Sequence, residues 1–328
     1  MEFVSIQYFI FGLRGCGKTS DMINRLFRRL IWSVVTLLAT AFLTFFLLNA
    51  VPGDVARVIA GSKATPDVIK EIHLKYHLDD PMWQRFVLYL GQLAHGDLGH
   101  SYVNDQSVAD AILTRLPTTA ALTSLAVVMW VAVAVPLGVL TARFRDSWFD
   151  RSTLVLATLS LSLPAFWLAR MMQYWFAYKL GWFPIGFFRS FLDLLLPAAS
   201  LAILFVGYYA RLIHTNMVEV LDSPYVRSAM AKGASETRVL FKHALRNAMI
   251  PVITVLGLDV AGMLGGVLFV ENVFALPGIG TLALQSVFNL DPPVIMGTVL
   301  FSAAIVVGAN WVVDLLYGLI DPRIKSSS

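Results

Sequence analysis

Four stretches of this chain bring together side chains whose types and spacing suit chemistry. Gly12-Leu-Arg-Gly-Cys-Gly-Lys-Thr19 fits G-x-x-x-x-G-K-[ST], the pattern in which backbone amides and a lysine cradle phosphates, and an apolar Ile6-Gln-Tyr-Phe-Ile-Phe11 precedes it. His73 and His77 stand one helical turn apart beside Asp79 and Asp80, a spacing that puts two metal ligands on one helix face. Asp259 sits inside an apolar run, where a carboxylate is costly and turns to a cavity or to a partner. The fourth stretch, Met217 to Pro251, is the longest polar interval in the second half of the chain. It sets Arg227, Lys232, Arg238, Lys242 and Arg246 against Glu219, Asp222 and Glu236. Its pattern is helix, glycine, helix, and it suits docking of a soluble partner better than bond-making.

The first two readings fail on their surroundings. A phosphate-binding loop needs a strand before it, a soluble helix after it and an α/β domain around both. Here an apolar run of membrane length begins at Leu30, and only Ser20–Arg29 lie between. Residues 1–29 therefore read as a cytosolic basic leader (Arg14, Lys18, Arg25, Arg28, Arg29), with Met22 as an alternative natural start. A cleaved signal peptide fits less well, because the apolar run is too long and lacks a small-x-small exit. The two histidines read as solvated residues of a surface helix, so no metal is assigned. The single cysteine, Cys16, excludes an internal disulfide and a thiolate cluster.

The elements that must position the remaining groups follow from composition. The chain is 57% hydrophobic and 14% charged, against about 25% charged in a soluble domain. Its mean hydropathy is +0.70. This is a multi-span membrane protein. The apolar runs are long enough for helices, which need about 20 residues to cross. They lack the dyad alternation of a barrel. A net charge of +4 is too small to signal nucleic-acid binding.

Charge-free runs and basic loops predict an all-α polytopic fold with six transmembrane helices. These are Leu30–Val51, Pro117–Ala142, Ser152–Ala169 (extending past Arg170), Leu194–Ala210, Asn247–Val270 and Pro292–Val313. Residues 52–116 form an extracytoplasmic insertion with two helices, one starting at Pro66 and one over Met82–Leu93. The short loop with Arg143, Arg145 and Arg151 and the tail 321–328 are basic, hence cytoplasmic, and both termini are inside. The segment 217–247 then falls on the cytoplasmic face, within a membrane core of residues 117–320. Ser160, Ser162 and Pro164 predict a kink in the third span. Glu271–Asp291 has no Lys or Arg, which fits an outer loop. Its Pro277-Gly278-Ile279-Gly280 marks a bend before a short apolar segment that lies at the outer surface or re-enters the membrane.

Several of these stretches together resemble a known family. Tyr225-Val-Arg-Ser-Ala-Met-Ala-Lys-Gly-Ala-Ser-Glu, His243-Ala-Leu-Arg-Asn-Ala and Ile250-Pro251 are similar to the cytoplasmic coupling loop of binding-protein-dependent ABC importer permeases, closest to the dipeptide/oligopeptide/nickel branch. The resemblance runs from Met22 to nearly the end. It includes Val51-Pro-Gly-Asp54, Leu78-Asp-Asp-Pro81, Gly96-Asp-Leu-Gly99, Leu116-Pro-Thr-Thr119, Phe269-Val-Glu-Asn-Val-Phe274, Pro277-Gly-Ile-Gly280, Val313-Asp-Leu-Leu-Tyr317 and Asp321-Pro-Arg323. Met230 stands where the family usually has a basic residue, and Leu276 where an aromatic often precedes Pro-Gly.

The resemblance implies a transport subunit of the bacterial inner membrane that is not an enzyme. It would carry peptides, or alternatively nickel or metal chelates. It would form a heterodimer with a second homologous permease, work with two ATPase subunits and receive solute from an extracytoplasmic binding protein. The chain would bind no cofactor, with ATP-Mg held on the partner subunits. Arg227, Ala229, Lys232, Gly233, Glu236 and Arg238 would couple to an ATPase, with the basic side chains pairing either with it or with membrane lipid. Asp259 would line the translocation path or pair with another helix. Glu271, Pro277, Gly278 and Gly280 would form an outer gate. A stand-alone secondary transporter is the competing class, and it leaves the hinged loop unexplained.

Overall fold

The computed structural model describes residues 20–50, 56, 60, 65–76, 78–186 and 190–320. The phosphate-loop match, Val51-Pro-Gly-Asp54, His77 and the basic tail lie outside them. Among the described residues the ordered elements are helical, with one isolated bridge pairing His100 and Ser107. In chain order they are α1 (Ser20–Ala50), α2 (Pro66–Lys75), α3 (Met82–Ala94), α4 (Val108–Arg143), α5 (Trp148–Ser162), α6 (Ala165–Met172), α7 (Leu195–Leu221), α8 (Pro224–Ala231), α9 (Glu236–Arg238), α10 (Arg246–Leu264), α11 (Leu268–Val273), α12 (Ile279–Phe288) and α13 (Pro292–Ile320). Five stretches are long and apolar enough to cross a membrane: Phe27–Ala50, Val108–Arg143, Phe191–Leu221, Glu236–Leu264 and Pro292–Val313.

The sixth crossing differs from the predicted kinked span. Trp148–Ser160 and Ala165–Lys179 are together apolar enough for one crossing but meet at 100°, the geometry of a broken span or a re-entrant pair. The cause is local. Leu163 is extended at φ −83°, ψ 129° because it precedes Pro164, whose ring disfavours helix in the residue before it. Helix resumes with Pro164 as its cap and passes into a π-helical turn, Gln173–Lys179.

Other predicted boundaries also move: the fourth crossing helix runs past Ala210 to Leu221, and the fifth begins at Glu236 and not Asn247. The second long helix starts at Val108, not Pro117, because the Ser107 side chain accepts from the Asp110 amide and caps it early. Pro117 and Pro136 lie inside this helix, as membrane helices tolerate. The fifth span ends at Leu264, not Val270. Gly265 and Gly266 break it, and Gly266 holds φ +125° while its backbone abuts Gly280.

The core lies along the seam of α4 with α7. Trp130, fully buried, stacks on Phe205 at 4.6 Å and on Tyr209 at 5.9 Å between ring centroids. Small residues let the backbones approach: Gly138 meets Ile213, and Gly207 meets Ala157 and Ser160. Further along the chain Ser302 of α13 donates to the Gly265 carbonyl at 2.8 Å, so α13 holds the break at the end of α10. α1 lies outermost on α13, where Trp311 Nε1 donates to Ser33 Oγ at 2.9 Å. The loop before α4 is fastened to the start of α13: Ser101 Oγ and the Tyr102 amide both donate to the buried Asp291 carboxylate. Burial there pushes the Tyr102 phenol above its usual range.

Candidate functional site

The polar stretch forms a hairpin between α7 and α10. Pro224 occupies the first turn of α8, where its missing N–H costs nothing. α8 closes with two reverse bonds: the Gly233 amide donates to Met230 O at 2.9 Å, and the Ala234 amide to Ala229 O at 3.2 Å. That is the bonding of a Schellman cap, and Gly233 holds the left-handed φ of +84° it requires. The chain turns and re-enters helix at Glu236. It then runs through a π-helical segment, Val239–Leu245, into α10 as one helical rod, Glu236–Leu264.

The inner side of the hairpin is packed and the outer side is bare. Val226, Val239, Leu240 and Ala244 are buried. Asn247 Nδ2 donates to the Tyr225 hydroxyl at 2.6 Å, and that hydroxyl donates to the His243 carbonyl at 3.3 Å, clasping the two arms. Arg227, Lys232, Gly233 and Arg238 are exposed, Ala229 is half-buried, and Tyr225, Met230 and Phe241 present apolar surface beside them. Glu236 is engaged within the chain. Arg143 at the end of α4 grips its carboxylate with a fork, Nε to Oε1 at 2.9 Å and Nη2 to Oε2 at 3.1 Å. Arg145 likewise donates to Asp222 at 3.0 Å.

Both pairs are surface pairs, so each is worth about 0.2–1 kcal/mol. Their effect is to fix the hairpin's angle to α4. A double-mutant cycle with Arg143→Ala and Glu236→Ala is expected to give a coupling in that range, measured by thermal unfolding in detergent. A coupling of zero at low salt would show that the fork does not hold the hairpin.

Asp259 lies on α10 between two positions of interest. Its Oδ2 accepts from the Tyr209 hydroxyl of α7 at 2.6 Å, and it is half-buried. In this conformation the carboxylate is thus paired with a neighbouring helix. The partner Tyr209 also belongs to the Trp130 stack, so one rigid line of contacts joins α4, α7 and α10.

Beyond the far end of α10, the predicted gate residues meet in one buried node. Glu271 is 0% exposed. Its Oε1 accepts from the Thr119 hydroxyl of α4 at 2.7 Å, and its Oε2 from the Thr281 amide at 3.0 Å. Thr119 Oγ1 in turn accepts from the Ile279 amide at 2.9 Å. The carboxylate thus faces the unsatisfied amides opening α12, where negative charge is favoured. Gly278 sits directly under the carboxylate, and a Cβ there would overlap it. A Cβ on Gly280 would come within 2.6 Å of the Leu268 backbone. Pro277 alone is exposed, at the bend, and Leu276 is core. The predicted outer loop is therefore tied to α4 through the Glu271 carboxylate, whose two oxygens are both satisfied, while the buried Thr281 hydroxyl has no hydrogen-bond partner.

Sequence reasoning missed the partners: Arg143 and Arg145 for the hairpin, Tyr209 for Asp259 and Thr119 for Glu271. It also missed Gln173, whose amide donates to the carbonyls of Ile185 and Val273 while accepting from Arg170 at 2.7 Å. Each pairing links residues remote in sequence. The only available signal was a polar side chain standing in an apolar run.

Among the described residues this arrangement joins helices remote in sequence and holds no catalytic constellation. Residues 134–326 match the family described as binding-protein-dependent transport system inner membrane component, and residues 22–123 match its N-terminal region. The chain belongs to this family. A transport system permease protein of Brucella abortus (strain 2308) is 41% identical over 306 residues, covering 91% of this chain and 98% of that protein. The dipeptide transport system permease protein of Alkalihalophilus pseudofirmus is 36% identical over 326 residues, 91% of this chain and 98% of its own. The glutathione transport system permease protein of Escherichia coli (strain K12) is 38% identical over 304 residues, 93% of this chain and 99% of its own. As a permease of this family, the protein is a transport subunit of the inner membrane and not an enzyme.

Proposed function

We propose that this permease carries peptides or small peptide-like solutes inward, driven by ATP that two partner subunits hydrolyse. The observation that carries the mechanism is the hairpin Pro224–Asn247. It projects an exposed basic and apolar face from the ends of two spans, and it continues without interruption into the rod bearing Asp259. A lever needs such continuity. Tilting α8 and α9 moves α10 as a unit, and α10 contacts α7 at Asp259 and leads to the Glu271 node. The ATPase face is then the hairpin side, with both termini cytoplasmic, and the binding protein docks at the Glu271 side. A second, related permease completes the path. ATP and magnesium belong to the partner subunits. ATP can switch such a path only by binding one ATPase arrangement more tightly than the other.

The peptide reading is placed ahead of nickel because the dipeptide and glutathione permeases align with this chain over more than nine-tenths of its length. Proteoliposomes holding both permeases and both ATPases are expected to accumulate labelled dipeptide or tripeptide only with binding protein and ATP. Uptake by the permeases alone, without ATPase or ATP, would overturn the mechanism. ATP-dependent uptake of nickel with no peptide uptake would overturn the substrate.

A further inference from the structure

The insertion between the first two long helices contains two helices of opposite character. α2 carries Asp67, Lys70, Glu71, His73 and Lys75 in ten residues. α3, Met82–Ala94, carries one charge in thirteen, Arg85. One face of α3 is packed against α1. Phe86 meets Phe42 edge-on at 5.5 Å and Phe45 at 5.2 Å between centroids, and Tyr89 stacks on Phe45 at 6.3 Å. Arg85 donates to Asn49 Oδ1 at 2.8 Å. The opposite face is bare and mostly apolar: Trp83 is 66% exposed, Val87 57% and Leu88 53%, with the uncharged Gln84 and Gln92 exposed beside them.

The height of those contacts decides what covers that face. α1 is membrane-crossing over Phe27–Ala50. At a rise of about 1.5 Å per residue, Phe42 and Phe45 lie roughly 12 and 7 Å before Ala50, inside a hydrocarbon core of about 30 Å. Asn49 lies at its edge, where the one charge of α3 is held. A helix packed beside Phe42 and Phe45 therefore cannot stand clear of the bilayer. The bare face of α3 also continues the lipid-facing exterior of α1, where Leu43, Phe46 and Leu47 are exposed. Tryptophan at such a boundary is favoured.

We infer that α3 is embedded in the leaflet at the C-terminal end of α1, with Trp83, Val87 and Leu88 against lipid. The insertion is then a membrane-anchored platform: α3 fixes its base in the bilayer and α2 stands above in water. This inference rests on the membrane-spanning fold and not on the proposed substrate.

Site-directed nitroxide labelling tests it on the full chain. The single cysteine is removed by Cys16→Ser, and Trp83→Cys or Val87→Cys is introduced, both at exposed positions that leave the Phe86 and Tyr89 packing intact. Asp67→Cys on α2 is the reference. In nanodiscs of phosphatidylethanolamine and phosphatidylglycerol, nitroxides at 83 and 87 should be relaxed several-fold more by oxygen than by a water-soluble nickel chelate, with the reverse at 67. Chelate-dominated relaxation at 83 and 87, matching that at 67, overturns the proposal in favour of a water-facing surface. Loss of oxygen accessibility at 87 on adding the second permease subunit also overturns it, because the face is then covered by protein.

Discussion

Gly233→Pro is expected to leave the permease folded in the membrane and to abolish coupled transport. Proline fixes φ near −65° and has no N–H, whereas residue 233 holds φ +84° and donates to the Met230 carbonyl. The Schellman cap cannot form, and α8 must leave its angle to α9. Nothing lies within 4 Å of a Cβ at this position, so the effect comes from backbone direction and the lost N–H and not from a side-chain clash. Gly233→Ala separates the two contributions. It keeps the N–H and pays only the left-handed penalty of about 1–2 kcal/mol, so transport should fall partway. The measurement is ATP-dependent peptide uptake alongside ATP hydrolysis in the reconstituted complex, with chromatographic behaviour of the purified complex reporting the fold. An unchanged number of peptides carried per ATP in Gly233→Pro would refute the coupling role.

Removing the Glu271 carboxylate should be the most destabilising single change of those considered. Glu271→Ala leaves a cavity and strands two buried donors, the Thr119 hydroxyl and the Thr281 amide. Each stranded donor costs about 1–3 kcal/mol. Glu271→Gln preserves the volume, but its amide offers one acceptor oxygen, so one of the two donors loses its bond and the loss should be smaller. Gly278→Val drives a side chain into the carboxylate from the other side and should resemble Glu271→Ala. Thermal unfolding of the purified protein in detergent reads the order: wild type, Glu271→Gln, then Glu271→Ala with Gly278→Val. A Glu271→Ala protein as stable as the wild type would show that the node holds nothing together.

The two sites differ in how far they were legible in the residues. The hairpin was readable because its signals are local. Pro224 at a helix start, Gly233 two turns on and Ser235-Glu236 reopening a helix all act over a few residues, and the structure places its turn at Gly233. The bend at Pro164 was legible in kind but not in size. A proline forbids helix in the residue before it, yet the 100° angle depends on how α5 and α6 pack. Around Glu271 the residues show an outer loop by the absence of Lys and Arg, but not the buried node within it. Only the fold brings α4 within reach of that carboxylate.

By itself, then, the sequence determined the class of the protein, the long helices to within about three turns at each end, and the turn at Gly233, because apolar length, charge placement and glycine–proline chemistry act along the chain. Tertiary structure decided the rest: that Tyr209 meets Asp259, that Arg143 pairs with Glu236 at the surface, that Thr119 and Thr281 satisfy Glu271, and that α3 packs beside Phe42 and Phe45. Those are pairings between helices, made by polar groups that must find partners away from water, and no local spacing specifies which partner comes within reach.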